Sequence, residues 1–245
     1  MNLRRVPLPV ALLAGAVVLS GCSLSFDING EDGSGTIVSE SPTVEAFDQI
    51  DVDGVFDAEA TVAEGSAHSV EIWTDDNLID EIEVNVVDGE LRLSVRDGAS
   101  IDPTRLDAII SMPTLSSVEA DGAADVSVLG GVSTASLSVE TSGASTVVIA
   151  AVSVDDLEIE ANGASTVKLD GRTADLDIEA NGASSIEMES FDAVDVTVDL
   201  NGASSVDLGS AERVSGEANG ASSMDIGSHT SLDVDTSGAS SVDAG

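Results

Sequence analysis

Along the second half of the chain, apolar and polar residues alternate in short runs separated by a recurring four-residue phrase. Leu157, Ile159 and Ala161 lead into Asn162-Gly163-Ala164-Ser165, and Val167 and Leu169 follow it. Leu176, Ile178 and Ala180 lead into Asn181-Gly182-Ala183-Ser184, with Ile186 and Met188 beyond. Val206 and Leu208 stand at the same places after Asn201-Gly202-Ala203-Ser204. Counted from the Asn, apolar or small residues sit five, three and one before it, then five and seven after it. Period two on both arms is the signature of half-buried strands. The phrase also occurs as Asp121-Gly122-Ala123-Ala124, Ser142-Gly143-Ala144-Ser145, Asn219-Gly220-Ala221-Ser222 and Ser237-Gly238-Ala239-Ser240; its glycines lie 21, 20, 19, 20, 18 and 18 residues apart. Self-similarity at this period over about residues 115–245 marks a repeat architecture. The Ala two places after the Asn is expected to point inward at the corner.

Two architectures accommodate the pattern. In an antiparallel meander or sandwich, each Asn-Gly is a hairpin turn. In a parallel β-helix, each repeat is one coil of 18–21 residues and equivalent residues stack. The second is preferred. Three repeats carry Asp-Gly or Ser-Gly, and Ser suits a type I′ turn poorly. The inward positions change parity across the phrase, which a two-residue hairpin does not require. Stacking also explains why Asn or Ser falls on Asn or Ser, since such ladders hydrogen-bond along a rod. The expectation is an all-β, single, elongated, right-handed parallel β-helix, in which Ile178, Val198 and Leu232 are buried and Glu179 and Asp199 exposed.

Composition narrows what the rod can be. The 245 residues include 46 Asp+Glu, 8 Lys+Arg, one Cys, one Trp and no Tyr. Its core therefore consists of small aliphatic side chains, and Val, Ile and Thr favour strands. Arg4 and Arg5 precede an apolar stretch, Val6 to Leu19, that ends in Leu19-Ser20-Gly21-Cys22. Residues 1–21 read as a signal peptide whose end resembles a bacterial lipobox, with Cys22 as the lipidated residue. Loss of the leader with its two Arg takes the formal charge from −38 to −40. Residues 22–42, rich in Gly, Ser and Asp, read as a lipidated Cys and flexible tether, and 43–245 as the folded domain. The charge disfavours nucleic acid and attracts cations. The expected address is the extracytoplasmic side of a cell membrane or outer membrane, reached through the lipid.

Four further stretches fix a resemblance: Ala46-Phe47-Asp48-Gln49-Ile50-Asp51-Val52-Asp53-Gly54-Val55-Phe56, Glu71-Ile72-Trp73-Thr74-Asp75-Asp76-Asn77-Leu78-Ile79, Val87-Asp88-Gly89-Glu90-Leu91-Arg92-Leu93 and Met112-Pro113-Thr114-Leu115. Followed by the Gly-Ala-Ser repeats, they resemble the head GIN domain family of bacterial envelope proteins, the auto-transporter adhesins, over roughly residues 44–245. The resemblance implies a β-helix-like fold and a cell-surface role, and supplies no functional residues.

The clearest chemical pattern is a carboxylate two places before each repeat's Asn, Asp or Ser: Glu119, Glu140, Glu160, Glu179, Asp199, Glu217 and Asp235. Their parity is opposite to that of the buried residues. In stacked coils neighbours lie ~4.8 Å apart, so two such charges repel by about 0.9 kcal/mol in water. A second row, six after the Asn, contains Glu187, Asp207, Asp225 and Asp243. Read plainly, these rows are a solvated face that discourages sheet-to-sheet pairing. Read functionally, Glu140, Glu160, Glu179, Asp199, Glu217 and Asp235 form a weak Ca²⁺-binding ribbon of hard oxygens, without the Gly-Gly-x-Gly-x-Asp loops of calcium-binding nonapeptides.

Enzyme chemistry finds little support. A carboxylate pair needs two different environments, whereas these acids repeat coil after coil. The serines lack a nucleophile-elbow context. His68 and His229 lie in turn-like segments without a coupled nucleophile. Lys168, the single lysine, stands next to Glu187 as a cross-strand ion pair; Arg92 and Arg96 neutralise nearby acids. Trp73 is read as a partly buried residue capping the core, with sugar stacking as the alternative. The reading is a non-catalytic envelope lipoprotein with a structural or adhesive role toward a cell-surface glycan or protein. A glycan-binding or glycan-active β-helix and a Ca²⁺-dependent surface module are the alternatives; no cofactor is called for beyond weak Ca²⁺.

Overall fold

A coil that must bury alternate residues and still return over itself needs flat strands and tight corners, and the chain supplies both. The computed structural model describes residues 30–245; the leader and Cys22 lie outside them. The strands are β1 (Glu31–Asp32), β2 (Ile37–Glu40), β3 (Gln49–Gly54), β4 (Asp57–Val62), β5 (Ser69–Asp75), β6 (Ile82–Val87), β7 (Glu90–Val95), β8 (Ile101–Asp102) and β9 (Leu106–Met112). The repeats add β10 (Ser117–Gly122), β11 (Asp125–Gly130), β12 (Ser136–Thr141), β13 (Thr146–Ser153) and β14 (Asp156–Ala161). They end with β15 (Thr166–Ala180), β16 (Ser185–Leu200), β17 (Ser205–Ala218), β18 (Ser223–Thr236) and β19 (Ser241–Ala244).

From β10 onward every ladder is parallel, so the fold is a β-solenoid of stacked coils and not a meander. Ile159 pairs with Ile178, Ile178 with Val198, and Val206 with Met224. Each coil has two flat faces. One holds the strand before the Asn-Gly phrase, the other the strand after it. In β15 to β18 one long strand bends from the second face to the first. The register between adjacent strands shifts at that bend, between Lys168 and Gly171 and between Met188 and Asp192. Ile178 and Val198 are buried; Glu179 and Asp199 are exposed. Leu232, in the last full coil, is only partly buried.

The corner differs from expectation in one respect. The Ala two places after the Asn is exposed at Ala164, Ala183 and Ala203. The Ser one place further is the inward residue: Ser145, Ser165, Ser184, Ser204 and Ser222 are each 1% exposed. The preceding Gly takes positive φ, +84° at Gly202, and this reverses the chain one residue later than simple alternation predicts. The buried hydroxyl satisfies itself locally. Ser204 donates to the carbonyls of Asn201 and Ala180, each at 3.1 Å, and Ser222 to that of Asn219 at 2.8 Å. The Gly is also sterically obligatory, since a Cβ at Gly202 would lie 2.5 Å from the Gly182 carbonyl oxygen. Outside the corner the Asn side chains form the expected ladder: Asn181 donates to Asn162 (3.1 Å) and Asn201 to Asn181 (3.2 Å).

The N-terminal end is built differently. β3 and β4 continue the two parallel faces through β10 and β11. Beyond them, β6 runs antiparallel to β7, β5 to β9, and β2 to β5. The segment read as tether is therefore part of the fold from Gly30 onward, with β1 beside β8 and β2 closing one face. A buried carboxylate fixes it: Asp75 accepts the backbone N–H groups of Gly35 and Thr104, each at 2.7 Å. Burial pushes the Asp75 pKa up, but the hydrogen bonds prevail and hold it below the ordinary value.

A carboxylate face as candidate binding surface

The acidic residues two places before the phrase stack as one column. Glu119 pairs with Glu140, Glu140 with Glu160, Glu160 with Glu179, Glu179 with Asp199, Asp199 with Glu217 and Glu217 with Asp235. Parallel register forces this, because coils of different length change at the bend and not on the face. The amide of Asn162 donates to Glu160 at 2.8 Å, that of Asn181 to Glu179 at 2.9 Å and that of Asn201 to Asp199 at 2.8 Å. The ladder thus holds part of the carboxylate column in place.

The column is longer than the repeats. Asp51 pairs with Glu119, and Arg92 with Asp51. Asp51, Glu90 and Glu119 can each offer one oxygen within 4.8 Å of the others. Arg92 caps the group, bonded to Glu90 and 3.9 Å from Asp51. Partial burial, followed by repulsion from Asp51 and Glu140, lifts Glu119 to about 7. Burial first and neighbouring carboxylates second also raise Asp51 and Glu140. Asp51 and Glu90 escaped the repeat count because no Gly-Ala follows them. Yet Asp51-Val52-Asp53-Gly54 falls in register with Glu119-Ala120-Asp121-Gly122, and that acid-x-Asp-Gly match was legible.

Beside this column the same face carries Asp156, Asp175 and Asp195, in register, and Glu158 with Asp177. A shallow groove of about 460 Å³ runs among them, with Leu157 and Leu176 in its lining. Arg213 is ion-paired with Asp195 and holds its pKa low. The opposite face carries the second row, Glu187, Asp207, Asp225 and Asp243, in register. Lys168 Nζ lies 2.7 Å from Glu187. Arg96 pairs with Glu81 at 3.2 Å. Trp73 is partly buried but does not cap the core. It stands on the outer side of β5, with the Arg105 guanidinium 5.1 Å over its ring. His229 lies inside β18, beside Ala211 of β17, and His68 rests against Phe47. The arrangement is a broad, ordered polyanion suited to binding extended or multiply charged cationic surfaces. Its members do not converge on one reacting atom.

Residues 46–229 match the profile of the family described as "Putative auto-transporter adhesin, head GIN domain". The chain belongs to this family. No curated protein matches the sequence. The GIN domain fold recurs in crystal structures of low sequence identity. A putative adhesin from Bacteroides fragilis is 23% identical, with TM-score 0.81, over 88% of this chain and 100% of that one. A putative lipid binding protein from Parabacteroides distasonis is 14% identical, with TM-score 0.73, over 89% and 100%. A putative adhesin from Parabacteroides merdae is 18% identical, with TM-score 0.67, over 87% and 98%. The family description points to an exported or cell-surface binding protein and not to an enzyme. Among the described residues, no helix is long and apolar enough to cross a membrane.

Proposed function

We propose that this protein is an exported lipoprotein, tethered through lipid on Cys22, whose GIN domain is a non-catalytic binding rod for a cell-surface protein or glycan. The observation that carries the reading is the in-register carboxylate face, which repeats one chemical unit along the rod and so favours a repetitive partner. Because the face is anionic, the favoured partner presents cationic groups at similar spacing. The test is capture of surface proteins and glycans by the full chain and by a Glu140→Gln, Glu160→Gln, Glu179→Gln variant. Capture lost in the variant and by the wild type in molar NaCl supports the reading; capture indifferent to both removes it. Membrane fractionation tests the anchor: Cys22→Ala is expected to release the protein, and continued sedimentation with membranes would refute lipidation there.

The Asp51, Glu90 and Glu119 group favours a second reading, in which Ca²⁺ bridges neighbouring carboxylates and makes adhesion calcium-dependent. Glu140, Glu160, Glu179, Asp199, Glu217 and Asp235 would extend that ribbon. Stabilisation by Ca²⁺ beyond that of matched ionic strength is its signature.

A further inference from the structure

The N-terminal end of the rod holds a feature unlike either acidic face. β2 and β6 are the outermost strands there; β2 pairs with β5 alone and β6 with β7 alone among the described residues. Between them lies a groove of about 180 Å³ lined by Ile72, Ile79, Ile82, Val84, Pro42 and Glu40. Ile72 is buried, while Ile79, Ile82 and Val84 are covered only in part. Glu40 is directly opposite Ile72 in the antiparallel ladder. Paired residues point to the same side of a sheet, so Glu40, exposed at the end of β2, stands at the rim of the aliphatic groove. Its side chain makes no hydrogen bond or ion pair among the described residues. Arg92, Arg96, Arg105, Lys168 and Arg213 are paired elsewhere, and Arg172 donates to Ser153.

A carboxylate at the rim of an otherwise aliphatic groove gives the groove a single negative group. From the aliphatic lining and this one negative group, we infer that the groove binds a small cationic amphiphile, with its alkyl chain against Ile72, Ile79, Ile82 and Val84 and its ammonium head at Glu40. Charge complementarity selects the head: an anionic amphiphile would meet Glu40 and the acids Asp80 and Glu83 nearby in sequence, whereas an ammonium head meets opposite charge there. The lining selects the tail, because the side chains facing it offer no hydrogen-bond donor. The inference does not depend on the carboxylate face or on lipidation. The competing explanation is that a charge at the end of β2 simply guards an edge strand against pairing.

The experiment is a titration of the full-length Cys22→Ala chain, labelled at isoleucine methyl groups, with n-butyl-, n-hexyl- and n-octyltrimethylammonium. Molar NaCl shortens the screening length to ~3 Å and suppresses general attraction to the acidic faces. Saturable shifts are expected at Ile72, Ile79 and Ile82, with affinity rising about fourfold per methylene from butyl to hexyl. Glu40→Gln should weaken hexyltrimethylammonium about two- to fivefold. Val84→Asp should abolish the shifts even though it adds a negative charge. If that variant does not fold, the wild-type methyl map and the chain-length series still decide. Tetramethylammonium binding as tightly as the hexyl compound, hexanesulfonate matching it, shifts confined to other isoleucines, or no binding at all would each overturn the inference.

Discussion

The repeat region and the N-terminal end of the rod solve one problem by opposite means. From β10 to β19 the chain obtains order from repetition. Successive coils place Gly over Gly, carboxylate over carboxylate and, from Ser145 onward, Ser over Ser, and every hydrogen-bonded ladder is parallel. From Gly30 to Met112 there is little repetition. Order comes from mixed pairing, with β2, β5 and β6 laid antiparallel against β5, β9 and β7 beside the parallel β3 and β4, and from single contacts such as Asp75 on Gly35 and Thr104. Repetition makes a long uniform surface, but it multiplies each unfavourable contact by the number of coils. Irregularity allows unlike side chains to meet, and the aliphatic groove with its one carboxylate arises only there.

The largest expected contrast is steric. Gly202→Val puts a side chain against the Gly182 carbonyl and forces φ of +84° on a β-branched residue. It should cost about 3 kcal/mol or more and prevent folding if the protein is marginal. Gly35→Ala, at φ +81° with nothing within 4 Å of the added Cβ, should cost only about 1–2 kcal/mol. Denaturant unfolding of the two variants measures the difference; equal effects would mean that close stacking of coils does not govern the repeat region.

Next in size is pH. Glu119 titrates at about 7 when folded, against an ordinary value of 4.5. Between these values the folded state binds protons that the unfolded state releases, so acidification from pH 7 to 5 should stabilise the protein. Asp75 acts in the opposite sense. Its pKa lies below the ordinary 3.8 when folded, so its contribution is present above that value and lost as pH falls through it. Thermal unfolding should therefore peak near pH 5. Glu119→Gln should flatten the neutral limb, and Asp75→Asn the acid limb.

Salt divides the two regions more gently. Molar NaCl should raise the melting temperature by screening the stacked carboxylates. Glu160→Gln with Glu179→Gln should reduce that rise. Millimolar CaCl₂ exceeding matched ionic strength would support bridging between coils; an equal effect would leave only screening. The smallest change is Ser204→Ala, which removes a buried hydroxyl and its bonds to Asn201 and Ala180 and should cost about 1 kcal/mol. No loss would mean that the inward hydroxyl column is incidental to stability.

These regions were not equally legible in the sequence. Period-two runs located the strands, phrase spacing gave the parallel coil, and the carboxylate column followed from counting two places back from each Asn. The inward residue at the corner was misplaced by one, because alternation carries no information about a Gly at positive φ. Asp51 and Glu90 were missed because no Gly-Ala phrase follows them to mark their place, although Asp51-Val52-Asp53-Gly54 matches Glu119-Ala120-Asp121-Gly122. The groove was illegible for a stronger reason. Glu40, Ile72 and Val84 belong to three strands, and nothing local records that they meet.

The bend between the two faces has a consequence for how such chains change over generations. Coils of 18 to 21 residues coexist because the register shifts there and both flat faces keep their pairing. Insertions or deletions at the bend are therefore nearly silent, whereas one residue added on a face would turn the rest of that strand inside out. A whole coil can also be duplicated as a unit. Each duplication lengthens the rod by ~4.8 Å and adds one more rung to every column, so reach and avidity grow together.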